Sequence, residues 1–197
     1  MPTFTGTAAR EQIAPAAVSA TVIRKPAGAF PTLGADTLDG GAASDSLDGG
    51  GDNDTLQGVD GDDTLKGGGG SDILIGELGG DRLTGGSGTD RFSFKVPQEG
   101  EDRITDFTPG EDLIQVDANQ LGGGSSQACR PLTADQLVAH ASNQATAPAG
   151  TGQFVLNATT SLLLWDEDGS GGVAALRLAN LTGVASLTTT DFEVVAP

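Results

Sequence analysis

Cut in nines from Pro31, the chain reads PTLGADTLD, GGAASDSLD, GGGDNDTLQ, GVDGDDTLK, GGGGSDILI, GELGGDRLT and GGSGTDRFS, ending at Ser93. Every sixth position is aspartate (Asp36, Asp45, Asp54, Asp63, Asp72, Asp81, Asp90) and every eighth is Leu or Phe (Leu38, Leu47, Leu56, Leu65, Leu74, Leu83, Phe92). No insertion breaks the phase across these 63 residues. A flexible linker has no reason to keep such a phase. A unit this short cannot bury its own apolar residue, so the pattern demands stacking of unit on unit.

The residue types explain how. Glycine turns the chain through positive φ without a Cβ clash, in the first half of each unit. The triplet after each aspartate, such as Thr-Leu-Asp or Ile-Leu-Ile, reads as a very short strand whose middle side chain points inward. Two units make one coil, so unit i lies on unit i+2 and their aspartates meet. Strand spacing puts neighbouring carboxylates roughly 4.8 Å apart, where they repel by about 0.9 kcal/mol in water and several times more at lower dielectric. One apolar side chain in nine offsets only a small part of the backbone entropy lost on ordering the block. The repeat is therefore expected to be unfolded without a counter-ion. Stacked carboxylates and turn carbonyls form an all-oxygen donor set, which suits Ca²⁺; Mg²⁺ fits less well, because it sheds water reluctantly and wants a tighter octahedron. Seven turns divide four and three between the two sides, leaving five gaps. The block carries 13 acidic and 3 basic residues, a charge of −10 that five Ca²⁺ would cancel.

The pattern G-G-x-G-x-D-x-U-x, with U a large apolar residue, resembles the calcium-binding nonapeptide of RTX (repeats-in-toxin, hemolysin-type) proteins. The resemblance implies an all-β fold: a right-handed parallel β-roll followed by an antiparallel β cap, to which the chain's own pattern adds one short helix. It also implies ligand sets. Each ion takes the aspartate and the carbonyls of positions two and four from one turn, and the aspartate and the carbonyls of positions one and three from the next. Carried over, the first site uses Thr32, Gly34 and Asp36 with Gly49, Gly51 and Asp54. The second uses Gly41, Ala43 and Asp45 with Gly58, Asp60 and Asp63. The third uses Gly50, Asp52 and Asp54 with Gly67, Gly69 and Asp72. The fourth uses Val59, Gly61 and Asp63 with Gly76, Leu78 and Asp81. The fifth uses Gly68, Gly70 and Asp72 with Gly85, Ser87 and Asp90. Ala43 and Asp52 replace the fourth-position glycine, and Val59 and Glu77 the second. A β-branched Val59 tolerates positive φ poorly, so the fourth site departs furthest from the pattern.

The flanks extend the resemblance. Residues 1–30 read as an N-terminal cap and connector: Gly6 to Ala14 is a decayed repeat with Glu11 in the aspartate place and Ile13 in the apolar one, and 15–30 is Ala- and Pro-rich. Residues 31–93 are the roll, and 94–197 a β-rich cap. Within "DRFSFKVPQEGEDRITDFTPGEDLIQVD", similar to segments that close RTX rolls with an antiparallel sheet, Gly100-Glu101-Asp102-Arg103-Ile104 and Gly110-Glu111-Asp112-Leu113-Ile114 echo G-x-D-x-U. One further calcium at Asp102, Asp106 or Asp112 and plain solvated edge charges are both open. "LTADQLVAHA" (132–141) reads as the short helix, with Thr133 and Gln136 at capping-box spacing. From Gln153 the pattern is strand, turn, strand. Asp166 to Gly171 resembles the opening of an EF-hand loop, but Arg177 stands where the bidentate Glu is required, so a hairpin turn is favoured over a weak calcium site at Asp166 and Asp168. The closing "DFEVVAP" resembles the uncleaved signal read by type I exporters, and equally reads as a final strand.

Composition narrows function. Net charge is −17, which argues against nucleic acid as a partner. A single cysteine, Cys129, allows no internal disulfide. There is no ordinary N-terminal signal and no apolar run long enough to span a bilayer. No H-E-x-x-H, G-x-S-x-G or phosphate-binding glycine loop occurs, the lone His140 has no histidine partner, and 30 residues ahead of the roll are too few for a catalytic domain. The expectation is a non-catalytic protein, secreted through the type I machinery of a Gram-negative-type bacterium, that folds on about five Ca²⁺ outside the cell. Two alternatives stand beside it: a calcium-dependent self-assembling surface-layer, fibre or adhesin subunit, pairing with itself or with cell-surface polysaccharide, and an accessory module of a separate secreted hydrolase or epimerase.

Overall fold

The computed structural model describes residues 3–5, 12–13, 23–25, 34–94, 100–117, 137–140, 152–166 and 175–195. Three short strands come first, β1 (Thr3–Thr5), β2 (Gln12–Ile13) and β3 (Ile23–Lys25). The repeats then give β4 (Thr37–Ala42), β5 (Ser46–Gly51), β6 (Thr55–Asp60), β7 (Thr64–Gly69), β8 (Ile73–Leu78), β9 (Arg82–Ser87) and β10 (Arg91–Phe94). The strands alternate between two sheets. In one, β4, β6, β8 and β10 pair in parallel; in the other, β5, β7 and β9 do. Register steps by two units, Thr37 on Thr55 on Ile73 and Ser46 on Thr64 on Arg82, so the expected parallel β-roll is the structure.

The strands are longer than the triplets predicted. Each of β4 to β9 runs six residues, through the first three positions of the following unit, because those backbones also find ladder partners on the coil above. The turn proper is confined to positions four to six. Within the strands the eighth-position side chains face inward and are fully buried: Leu38, Leu56, Leu74 and Phe92 from one sheet meet Leu47, Leu65 and Leu83 from the other.

Both sheets run on past the repeats. β11 (Asp102–Ile104) pairs in parallel with β9, and β12 (Leu113–Asp117) in parallel with β10, so 100–117 continues the roll where an antiparallel closure was expected. Ile114 stacks on Phe92, and Ile104 on Leu83. The antiparallel cap begins later, with β14 (Gln153–Asn157), β15 (Leu162–Asp166) and β16 (Leu176–Leu181) as a meander whose last strand pairs in parallel with β11. β17 (Phe192–Val195) closes the first sheet beside β12, after a 3₁₀ turn at Thr189–Asp191.

Within the predicted helix over 132–141, Leu137–His140 form a strand instead, β13, parallel to β14; residues 132–136 and 141 lie outside the described residues. Leu137-Val138-Ala139 offers little local preference, and the open edge of β14 decides it. At the other end β1 lies parallel on β4, with Phe4 opposite Leu38, and β2 parallel on β5, with Ile13 opposite Leu47. The decayed repeat thus keeps the roll's register, and β3 folds back antiparallel on β1. Glu11, residues 15–22, Cys129 and Asp168 lie outside the described residues.

The candidate calcium-binding roll

Every coil closes on its aspartates. The backbone N–H of Asp36 donates to Oδ1 of Asp54 at 2.7 Å, Asp54 to Asp72 at 2.8 Å and Asp72 to Asp90 at 2.9 Å along one edge. Along the other, Asp45 donates to Asp63 and Asp63 to Asp81, both at 2.7 Å. All seven carboxylates are buried. Oδ1 of Asp54, Asp63, Asp72, Asp81 and Asp90 therefore points back to the previous coil. Oδ2 points forward: at Asp54, Asp63, Asp72, Asp81 and Asp90 it is buried with no hydrogen-bond partner. A buried, unsatisfied carboxylate oxygen is costly, and a row of them marks a ligand-shaped need.

The first-position glycines show where that ligand would sit. A Cβ on Gly49, Gly58 or Gly67 would run into Oδ2 of its own unit's aspartate and into the first-position carbonyl oxygen of the next coil (Gly67, Gly76 and Gly85). A carboxylate oxygen of one coil and a carbonyl oxygen of the next thus converge on one point. From the second unit on, positions two and four carry positive φ: Gly41, Gly50, Gly68 and Gly86 at the second, Gly61, Gly70, Gly79 and Gly88 at the fourth. Ala43, Asp52, Val59 and Glu77, the four departures from glycine, adopt it too, at 131°, 66°, 85° and 69°. The backbone angles needed to aim the carbonyls survive the changes of side chain. Glu77 also accepts a hydrogen bond from Gln57 Nε2 at 2.8 Å.

Burial dominates the electrostatics. It pushes the carboxyls of Asp54, Asp63 and Asp90 up to about 7 and that of Asp81 up to about 6. The N–H donated to each pulls the other way, and neighbouring aspartates add to the rise. Asp72 and Asp112 are raised for the same first reason. Among the described residues no three His, Cys, Asp or Glu side chains converge as a side-chain cluster. Stacked carboxylates with a main-chain carbonyl oxygen beside them make an all-oxygen surround, and residues of that kind fit a hard cation such as Ca²⁺.

The structure brings the predicted pairs together: Asp36 with Asp54, Asp54 with Asp72, Asp72 with Asp90, Asp45 with Asp63, and Asp63 with Asp81. Thr32 lies outside the described residues. Leu78, a predicted carbonyl donor, turns its side chain to solvent, 50% exposed. Of the three aspartates left open beyond the repeats, Asp102 and Asp112 extend the ladder, accepting from Asp81 N–H at 2.9 Å and Asp90 N–H at 3.0 Å. Asp106 instead accepts from Gly85 and Gly86 N–H at 3.0 and 2.9 Å. The sequence reading missed β1; the nine-residue step from Phe4 to Ile13 was its signal.

Residues 32–56 and 57–92 match the family model for the RTX calcium-binding nonapeptide repeat. This part of the chain is an RTX calcium-binding repeat array. No curated protein matches the sequence. Among solved structures, the AlgE6R3 subunit of the Azotobacter vinelandii mannuronan C5-epimerase is similar, at 25% identity over 76% of this chain and 77% of that one, with a TM-score of 0.46.

Proposed function

We propose that the chain is a secreted, non-catalytic calcium-binding protein whose roll, residues 31–93, orders on about five Ca²⁺ bound with the ligand sets given above. The observation that carries this reading is the row of buried Oδ2 atoms without partners, each facing a first-position glycine. A bound cation would discharge the stacked carboxylates and satisfy those oxygens. Extracellular calcium modules bind at about 10⁻⁴–10⁻³ M, so the chain would stay open at cytosolic calcium and close outside. Passage through a type I exporter fits that order of events, and the end of the chain, which forms β17, would then serve as both signal and strand. Residues 100–117 prolong the roll, and the segment beyond 117 acts as its cap.

Light scattering on a sizing column tests this, in chelator and then in millimolar calcium. Chain scaling gives a radius of gyration of roughly 48 Å unfolded and roughly 16 Å compact. The expected result is expansion in chelator and collapse to a monomer in calcium. An unchanged radius would refute calcium-driven folding, and growth in mass after collapse would point to an assembling subunit instead.

A further inference from the structure

Resting on the reading of the roll as calcium-binding, we propose that Asn53 and Ser44, which belong to none of the ligand sets, are positioning residues that aim the Gly70 and Gly61 carbonyls at their ions. The fifth position of each unit, beside the aspartate, carries a second ladder. Ser71 N–H donates to Asn53 Oδ1 at 2.7 Å and Asp62 N–H to Ser44 Oγ at 3.2 Å. Gly80 N–H donates to Asp62 Oδ1 at 3.0 Å and Thr89 N–H to Ser71 Oγ at 3.3 Å. This ladder runs against the first. At the aspartates the earlier coil donates and the later one accepts; at the fifth position the later coil donates and the earlier one accepts. Neighbouring residues thus lace these gaps in both directions.

The second ladder matters to a cation because of the peptide plane. The N–H of a fifth residue and the C=O of the fourth share one planar trans peptide unit and point opposite ways. Tying Ser71 N–H back to Asn53 therefore turns the Gly70 carbonyl forward, into the gap between Asp72 and Asp90. Tying Asp62 N–H back to Ser44 turns the Gly61 carbonyl into the gap between Asp63 and Asp81. Both oxygens do face the next coil: a Cβ on Gly88 would run into Gly70 O, and one on Gly79 into Gly61 O. These carbonyls are the fourth-position donors of the fifth and fourth sites. The first unit has Ala35 at this place, with no side-chain acceptor, yet β4 keeps its register on β6. Coils stack without the bond, so its role lies with the carbonyl. Asn53 is exposed, and a hydrogen bond made in competition with water adds little to stability.

Native mass spectrometry of the full chain across a series of calcium buffers tests this, on the wild type, Asn53→Ala and Asn53→Ser, with amide hydrogen exchange alongside. Removing a group that only orients a metal ligand costs about 10–100-fold in affinity. The last ion to bind N53A is expected to need at least about tenfold more free calcium than on the wild type, and the Ser71 amide to exchange faster. N53S, which restores an acceptor of the kind found at Ser44 and Ser71, should recover the wild-type affinity. Unchanged affinity in N53A overturns the positioning role and leaves the roll standing. Equal losses in N53A and N53S overturn it too, because the acceptor would then count for nothing. Should N53A fail to fold, Ser44→Ala decides, by the affinity of its last ion and exchange at the Asp62 amide. A wild type that binds no calcium overturns the reading of the roll, and this inference with it.

Discussion

The roll and the cap fill their interiors in opposite ways. In the roll each nine residues contribute one buried Leu or Phe and one buried aspartate, so charge is packed as tightly as hydrocarbon. In the cap every residue of β14 and β15 is buried, on both faces of the sheet. One face joins the main core; Val155, Leu162 and Leu164 form a second cluster on the other. Aromatic rings meet here and at the last turn of the roll. Phe154 lies 4.6 Å from Trp165 and 4.8 Å from Phe192 between ring centroids, and Phe92 and Phe107 meet at 5.9 Å. One region owes its order to what binds it, the other to what it excludes.

The sharpest way to break that contrast is a pair of substitutions. Asp63 serves two gaps, accepting from Asp45 N–H and donating its own to Asp81. Loss of a ligand's outer support alone costs about 10–100-fold in metal affinity. Asp63→Ala is therefore expected to raise the calcium midpoint by more than tenfold, read by circular dichroism. Phe154→Ala should instead lower stability by about 3–5 kcal/mol in urea melts while leaving the calcium midpoint close to wild type. If both variants shifted the midpoint equally, roll and cap would be one energetic unit.

A subtler difference lies in pH. Carboxyls at Asp54, Asp63 and Asp90 move from 3.8 to about 7 in the fold. A raised pKa contributes stability that is fully present below 3.8 and is lost as pH rises through about 7. The metal-free roll should gain stability on acidification from pH 8 to pH 5 in chelator. In calcium the sign reverses, because the ligands must be charged: the calcium midpoint should rise between pH 8 and pH 6. Strand content by circular dichroism in chelator, and calcium titrations, at the two ends of each range check both halves; the same sign in both would contradict the competition. The smallest effect is backbone strain. Val59 holds φ 85°, where a left-handed conformation costs an L-residue about 1–2 kcal/mol. Val59→Gly should raise the melting temperature of the calcium form slightly, and a fall would mean that the valine's packing outweighs its strain.

Much of this was legible in the sequence because the repeat states its own contacts: a residue's neighbour is 18 positions away, and at the sixth and eighth positions aspartate meets aspartate and Leu meets Leu or Phe. The aspartate pairs, the buried Leu row and the four strained positions all follow. The echoes at Gly100–Ile104 and Gly110–Ile114 were visible, but not that one turn stacks on its coil and the other folds on itself. That depends on Asp106 and Thr108, which no period marks. β13 was misread for a related reason. Capping spacing at Thr133 and Gln136 is local, while the edge of β14 that captures Leu137–His140 arrives in the sequence only later.

The unequal steps at the end of the roll carry a consequence for alignment. Near-identical coils can slide along one another by a whole coil, 18 residues, with every Leu and Asp still facing its own kind. The steps of 21 from Asp81 to Asp102 and 22 from Asp90 to Asp112 occur once each. A slipped stack would present these two aspartates to the wrong coil and pull Ile104 and Ile114 off their rows. Two odd-length links thus act as a keyed stop: they turn a sequence that could settle in several frames into one that has a single place to end.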